Sequence, residues 1–101
     1  MTRLNPYKED LTRLCAQNKV RSLYAFGSVL REDFRPESDI DMVVDIGSEN
    51  PFEYANCYFN LQFALEDLFN RPVDLLEDKA IRNKYLRREI DNTKELVYAG
   101  E

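Results

Sequence analysis

The stretch from Asp39 to Ile46 constrains this chain more than any other, because it sets acids inside an apolar run. Ile40, Met42 and Val44 alternate with Asp39, Asp41, Val43 and Asp45. A period of two belongs to a β-strand, whose successive side chains point to opposite faces. One face is apolar and asks for a core. The other carries carboxylates, and burying an unpaired carboxylate is expensive. The strand therefore has to find a partner for its charge as well as a place for its apolar side.

The rest of the chain supplies the elements around it. Asn5-Pro6 reads as an N-cap and first helical residue, followed by Leu4, Tyr7, Leu11 and Leu14 on one helical face and a stop at Asn18-Lys19. Val20 to Phe26 is an apolar strand that breaks at Gly27-Ser28. Val29 to Asp33 fits a short helix and Phe34 to Ser38 a turn, before the Asp39–Ile46 strand. A long helix opens at Asn50-Pro51, with Glu53 at the capping-box position, and runs to Phe69. Its stripe is Tyr54, Tyr58, Leu61, Leu65 and Leu68, widened by Phe52, Ala55, Phe59 and Phe63. Val73 to Leu76 is a third strand. Asp78 caps a helix through Ile90 with Ile81, Tyr85, Leu86 and Ile90 inward, and Leu96 to Tyr98 is an edge strand. The order predicts a single α/β domain over residues 1–101, built around one small sheet.

Composition narrows the chemistry. The 101 residues carry a net charge of −5 and no His. That removes Ser-His-Asp and Cys-His catalysis and His-ligated zinc. The acidic balance makes a poor partner for bare nucleic acid, whose binding rests on cation-to-phosphate contacts. Cys15 and Cys57 fall in helical stretches as small apolar residues, and with no secretion signal or membrane span a reducing cytoplasm is expected. Chemistry must come from carboxylates, hydroxyls, Lys, Arg or metal.

Three carboxylates sit where strands should be apolar. Asp39 and Asp41 project from one strand face with Cα atoms about 6.5–7 Å apart. Asp74 lies within Val73 to Leu76, where a lone acid has no structural purpose unless it pairs with Arg71 or Lys79. If the two strands are neighbours, the three acids converge, and such a cluster needs a divalent cation to stay ionised. Hard oxygen donors select Mg²⁺ or Mn²⁺, and Mg²⁺ favours sites completed by substrate phosphates. An EF-hand reading fails, because Val43 and Val44 stand where its ligand and Gly belong. Gly27-Ser28, at a strand-to-helix turn, offers close backbone approach, a hydroxyl and helix-start amides to a phosphate. Asp45, further along the strand, reads as a solvated strand-end residue.

Taken together, Gly-Ser-Val-Leu-Arg (27–31), Ser-Asp-Ile-Asp-Met-Val-Val (38–44) and Val-Asp-Leu-Leu (73–76) resemble the minimal nucleotidyltransferases of the DNA polymerase β-like superfamily. Their signature is Gly-Ser, a short gap, Asp-x-Asp and a third acid on a later strand. One departure is Glu32, where many relatives have Gly. The resemblance implies a small mixed sheet flanked by helices, ATP as substrate, two Mg²⁺ ions, and transfer of AMP to a hydroxyl. By the same resemblance, Gly27 and Ser28 hold the triphosphate and Asp39 and Asp41 bind both metals. Asp74 ligates the catalytic metal and draws the proton from the acceptor. Arg31 steadies a phosphate, against the alternative of an ion pair with Asp33 or Glu37; Ser38 shapes the turn.

Small members of that family accompany a helical HEPN-domain protein, and the pair acts as a toxin–antitoxin system in which the nucleotidyltransferase adenylylates a tyrosine of the HEPN ribonuclease. A chain of this length has no second domain to close over an acceptor, so a partner protein would complete the site. The basic residues Lys79, Arg82, Lys84, Arg87 and Arg88 read first as a solvated helix face and second as a docking surface. Two alternatives remain open on sequence: a non-catalytic antitoxin acting by stoichiometric binding, and a nucleotidyltransferase acting on RNA or a small molecule.

Overall fold

The computed structural model describes residues 4–27 and 39–100. The expected helix at Val29–Asp33 and turn at Phe34–Ser38 lie outside the described residues, as do Ser28, Arg31 and Glu32. Along the chain come α1 (Lys8–Gln17), β1 (Val20–Phe26), β2 (Ile40–Ile46), α2 (Pro51–Phe69), β3 (Val73–Glu77), α3 (Lys84–Thr93) and β4 (Glu95–Ala99). The strands form one sheet in the order β3-β2-β1-β4. β1 is antiparallel to β2 and β4, and β2 is parallel to β3, so the sheet is mixed as expected.

Strand alternation divides the side chains between two layers. Leu23, Ala25, Ile40, Met42, Val44, Ile46, Val73 and Leu75 pack with Leu4, Leu11 and Cys15 from the N-terminal segment and Cys57, Leu61, Leu65 and Phe69 from α2. On the opposite face Phe26 and Val43 meet Ile90 of α3, with Tyr24, Leu76, Ile81 and Leu86 beside them. The second layer is smaller, and it leaves one end of its face to the acids.

Several local expectations are corrected. Asn5-Pro6 opens a 3-10 turn through Tyr7, and Tyr7 rather than Asn5 occupies the N-cap of α1. Asn50 does cap α2, accepting from the backbone N–H groups of Phe52 and Glu53. The Glu53 carboxylate, however, accepts from Ser48 Oγ at 2.7 Å and pairs with Lys19 Nζ at 2.8 Å, contacts that hold it below the usual carboxylate range. The inward seam of α2 is Cys57, Leu61, Leu65 and Phe69, while Phe52, Phe59 and Phe63 are exposed on the far side of the helix. A helix resting on a sheet buries one stripe, and those three aromatics fall about half a turn from it.

Asp78 does not cap α3. Its carboxylate accepts from Arg87 at 2.8 Å, Asp78–Ala80 forms a 3-10 turn, and Asn83 caps a helix that starts at Lys84. Within that helix Tyr85 lies five residues before the buried Ile90, more than a third of a turn away, and is exposed. Of the five basic residues there, Lys79, Arg82 and Arg87 are held locally: Lys79 by Ile46 O and Asp45, Arg82 by Lys79 O, Arg87 by Asp78. Lys79 and Arg82 precede α3, so the five residues do not form one helix face. Asp45 is less exposed than expected: its side chain is 23% accessible, Oδ1 has no hydrogen-bond partner, and Lys79 Nζ lies 3.7 Å away.

Cys15 and Cys57 are buried and free. Burial pushes the Cys15 thiol up to about 12. Unfolding exposes a thiol with an ordinary value of about 8.5, so the unfolded chain gives up its proton first as pH rises. Cys15 should therefore resist thiol-specific disulfide reagents at pH 8 until the chain is unfolded, and its contribution to stability should fall as pH climbs through that interval. Urea unfolding followed by thiol titration checks both outcomes.

Candidate active site

Three chain segments bring their ends to one edge of the sheet. β1 finishes at Phe26, directly opposite Asp41 in the antiparallel ladder. Gly27 then leaves the strand with φ +73°, in the left-handed region that side chains with a Cβ rarely adopt. A Cβ added at Gly27 would sit 2.6 Å from Asp41 Oδ2. The carboxylate of Asp41 thus rests on the bare α-carbon of Gly27. Any other residue there would displace it.

β2 and β3 start side by side at the same edge. Their parallel register pairs Ile40 with Val73, Asp41 with Asp74 and Met42 with Leu75. Residues paired across neighbouring strands pleat in phase, so Asp41 and Asp74 stand on the same face, on strands about 4.8 Å apart. Asp39 immediately precedes β2, and alternation carries it toward that face. Asp39 and Asp74 are exposed and Asp41 is half-buried. Of the six residues expected to form the site, the structure brings Gly27, Asp39, Asp41 and Asp74 to one end of one face. Ser28 and Arg31 lie outside the described residues.

The acids are neighbours without forming a cage. Among the described residues no three His, Cys, Asp or Glu side chains are gathered closely enough to hold a metal ion by themselves. The donor chemistry nevertheless suits Mg²⁺, which keeps several waters and is bound through one or two carboxylates plus substrate phosphates, not by an all-protein shell. A hard divalent cation placed between Asp41 and Asp74 would be shared by both carboxylates.

Sequence reasoning missed the residues that fix β3. This edge strand is held by three side chains of α2, each one helical turn from the next. Tyr58 OH donates to Leu75 O, Gln62 Nε2 donates to Val73 O at 3.4 Å, and Glu66 Oε2 accepts from Val73 N–H at 3.1 Å. The Tyr58 hydroxyl is shifted upward by burial and then by the charges of Glu77 and Asp74, so it remains a donor at neutral pH. The spacing 58, 62, 66 was visible, but its purpose was not, because nothing in the sequence says which strand is an edge.

Comparison with known proteins identifies the family and the fold. Residues 9–101 match the family model described as "Polymerase beta, Nucleotidyltransferase". "Putative protein adenylyltransferase MJ1379" of Methanocaldococcus jannaschii is 34% identical over 102 residues, covering 97% of this chain and 99% of its own. A solved "putative minimal nucleotidyltransferase" superimposes with a TM-score of 0.73 at 26% identity, over 91% of this chain and 90% of that one. The fold is shared too by a chain from "tri-AMPylated Shewanella oneidensis HEPN toxin in complex with MNT antitoxin", with a TM-score of 0.64 at 18% identity, covering 94% of this chain and 71% of that one.

The Gly27–Asp41 contact has a direct consequence. Gly27→Ala should cost about 1–2 kcal/mol from the left-handed backbone alone, before Asp41 is pushed aside. Urea unfolding measures the loss; a variant as stable as the parent would contradict the close approach.

Proposed function

The chain belongs to the polymerase beta nucleotidyltransferase family, and we propose that this nucleotidyltransferase acts as the antitoxin of a toxin–antitoxin pair, moving AMP from ATP to a tyrosine hydroxyl of a cognate HEPN-domain toxin. The observation that carries the reading is the pairing of Asp41 with Asp74 on one sheet face, beside a glycine whose missing Cβ leaves space for the Asp41 carboxylate. The relative's name supplies the protein-adenylyltransferase activity, and the solved complex supplies the AMPylated HEPN toxin.

In the reaction, the acceptor oxygen forms a bond to the α-phosphorus of ATP while the bond from that phosphorus to the leaving pyrophosphate breaks. Asp39 and Asp41 would hold two Mg²⁺ ions, and Asp74 would share one of them. Bound there, the ions supply Lewis-acid neutralisation of the attacking and leaving oxygens. The chain's own residues do the rest. Gly27, with no side chain, lets the backbone turn close to a phosphate, and Ser28 adds a hydroxyl donor. Arg31 steadies a phosphate oxygen. Asp74, exposed at the edge where an acceptor can enter, takes the hydroxyl proton as the new bond forms. Pyrophosphate leaves with the charge.

The surroundings fit a protein acceptor. A net charge of −5 disfavours bare nucleic acid as the acceptor, and Asp39 and Asp74 are exposed at the end of the sheet, where a docked partner can meet them. No helix among the described residues is long and apolar enough to cross a membrane, and a cytoplasmic protein is the setting we infer.

The test is incubation with α-labelled ATP, Mg²⁺ and a cognate HEPN-domain protein. The partner's tyrosine should be labelled. Asp41→Asn or Asp39→Asn removes several kcal/mol of charge stabilisation, which corresponds to a loss of roughly a thousandfold in rate, with the far-ultraviolet circular dichroism unchanged. Undiminished labelling by the double variant would refute the metal-dependent mechanism. An adduct on RNA or a small molecule, with the partner unmodified, would refute the acceptor.

A further inference from the structure

The outer side of β3 is where the structure extends the functional reading. In a strand, successive residues direct their backbone groups to opposite sides. Ile40 N–H donates to Pro72 O at 3.1 Å, so Pro72 faces β2, Val73 faces away and Asp74 faces β2 again. Two sets of bonds therefore bracket Asp74. Its own peptide groups lie in the ladder with β2, while both flanking residues are gripped from outside by α2. The Val73 N–H meets Glu66, the Val73 carbonyl meets Gln62 and the Leu75 carbonyl meets Tyr58.

An edge strand can be blunted in cheaper ways, by a Lys, a Pro or a covering loop. Here a part-buried carboxylate is spent on one backbone amide, immediately beside the exposed acid. A carboxylate accepting from a backbone N–H is a strong, charge-assisted bond. Its effect is to hold the Pro72–Val73 peptide in a single orientation, while Gln62 holds the carbonyl of the Val73–Asp74 peptide that follows.

We propose that Glu66, with Gln62 and Tyr58, is a positioning residue: it fixes the β3 backbone so that the Asp74 carboxylate stands level with Asp41, ready for a shared divalent cation. The proposal rests on the reading of Asp74 as a metal-binding acid. Glu66 does not itself reach the cation; it acts through Val73. Loss of a group that orients a metal ligand commonly lowers metal affinity about 10–100-fold.

The experiment is titration of Mn²⁺ in the presence of ATP, followed by electron paramagnetic resonance. This reads occupancy of the site without relying on turnover. Glu66→Ala should weaken Mn²⁺ binding by about tenfold or more, while Glu66→Gln, which keeps an acceptor oxygen, should restore most of it. Leu61→Val, a core change on the same helix at an apolar side chain that makes no hydrogen bond to β3, should leave the affinity unchanged. If Glu66→Ala binds Mn²⁺ as the parent does while Asp74→Asn does not, the positioning role is overturned. If Leu61→Val weakens binding as much as Glu66→Ala, general loosening explains the effect and the positioning role is again overturned. If Asp74→Asn binds as the parent does, the fault lies in the underlying reading of Asp74. Should Glu66→Ala fail to fold, Gln62→Ala is read in its place, with weaker binding supporting the proposal and unchanged binding refuting it.

Discussion

The arrangement turns on a register. Asp41 and Asp74 stand level on adjacent parallel strands, two acids on the same face of the sheet. The opposite face holds those strands together. The other face of β2 is buried completely at Met42, Val44 and Ile46, and β3 adds Val73 and Leu75 to the same core. Apolar burial at about 25 cal/mol per Å² makes these side chains the anchors of the strands that carry the acids. The charged face is thus maintained by the uncharged one.

Each element then has a role relative to that pair. β1 delivers Gly27 to the flank of Asp41, and the left-handed turn leaves the carboxylate against bare backbone. α2 buries its seam in the core and uses the adjoining row of Tyr58, Gln62 and Glu66 to close the open side of β3. α3 packs Ile90 against Phe26 and Val43 on the face that carries the acids, where Asp39 and Asp74 are exposed and Asp41 is half-buried. Among the described residues, one face of the four-stranded sheet is densely packed and the other is covered by the smaller cluster around Ile90.

Much of this was legible in the sequence, for a physical reason: strand periodicity and acid placement are local. The alternation from Ile40 to Val44 located β2 and its charged face, and Asp74 stood out because no local rule excuses an acid there. What stayed hidden depended on long-range choices. Asp78 has the residue type of a helix cap, but its carboxylate accepts from Arg87, nine residues on, and Asn83 caps the helix instead. Phe52, Phe59 and Phe63 carry the same apolar signal as buried aromatics, and only the docking direction of α2 shows that they face outward. The clamp on β3 required knowing the strand order. The nearness of Gly27 to Asp41 required the antiparallel register.

The most direct measurement is an anomalous difference map from crystals grown with Mn²⁺ and a non-hydrolysable ATP analogue. The account predicts metal density on the sheet face shared by residues 39, 41 and 74, with oxygens of Asp39, Asp41 and Asp74 among the ligands and the nucleotide phosphates beside Gly27. Density elsewhere, or an ion bound with Asp74 turned away from it, would contradict the claim that the paired strands exist to place two facing acids on one cation.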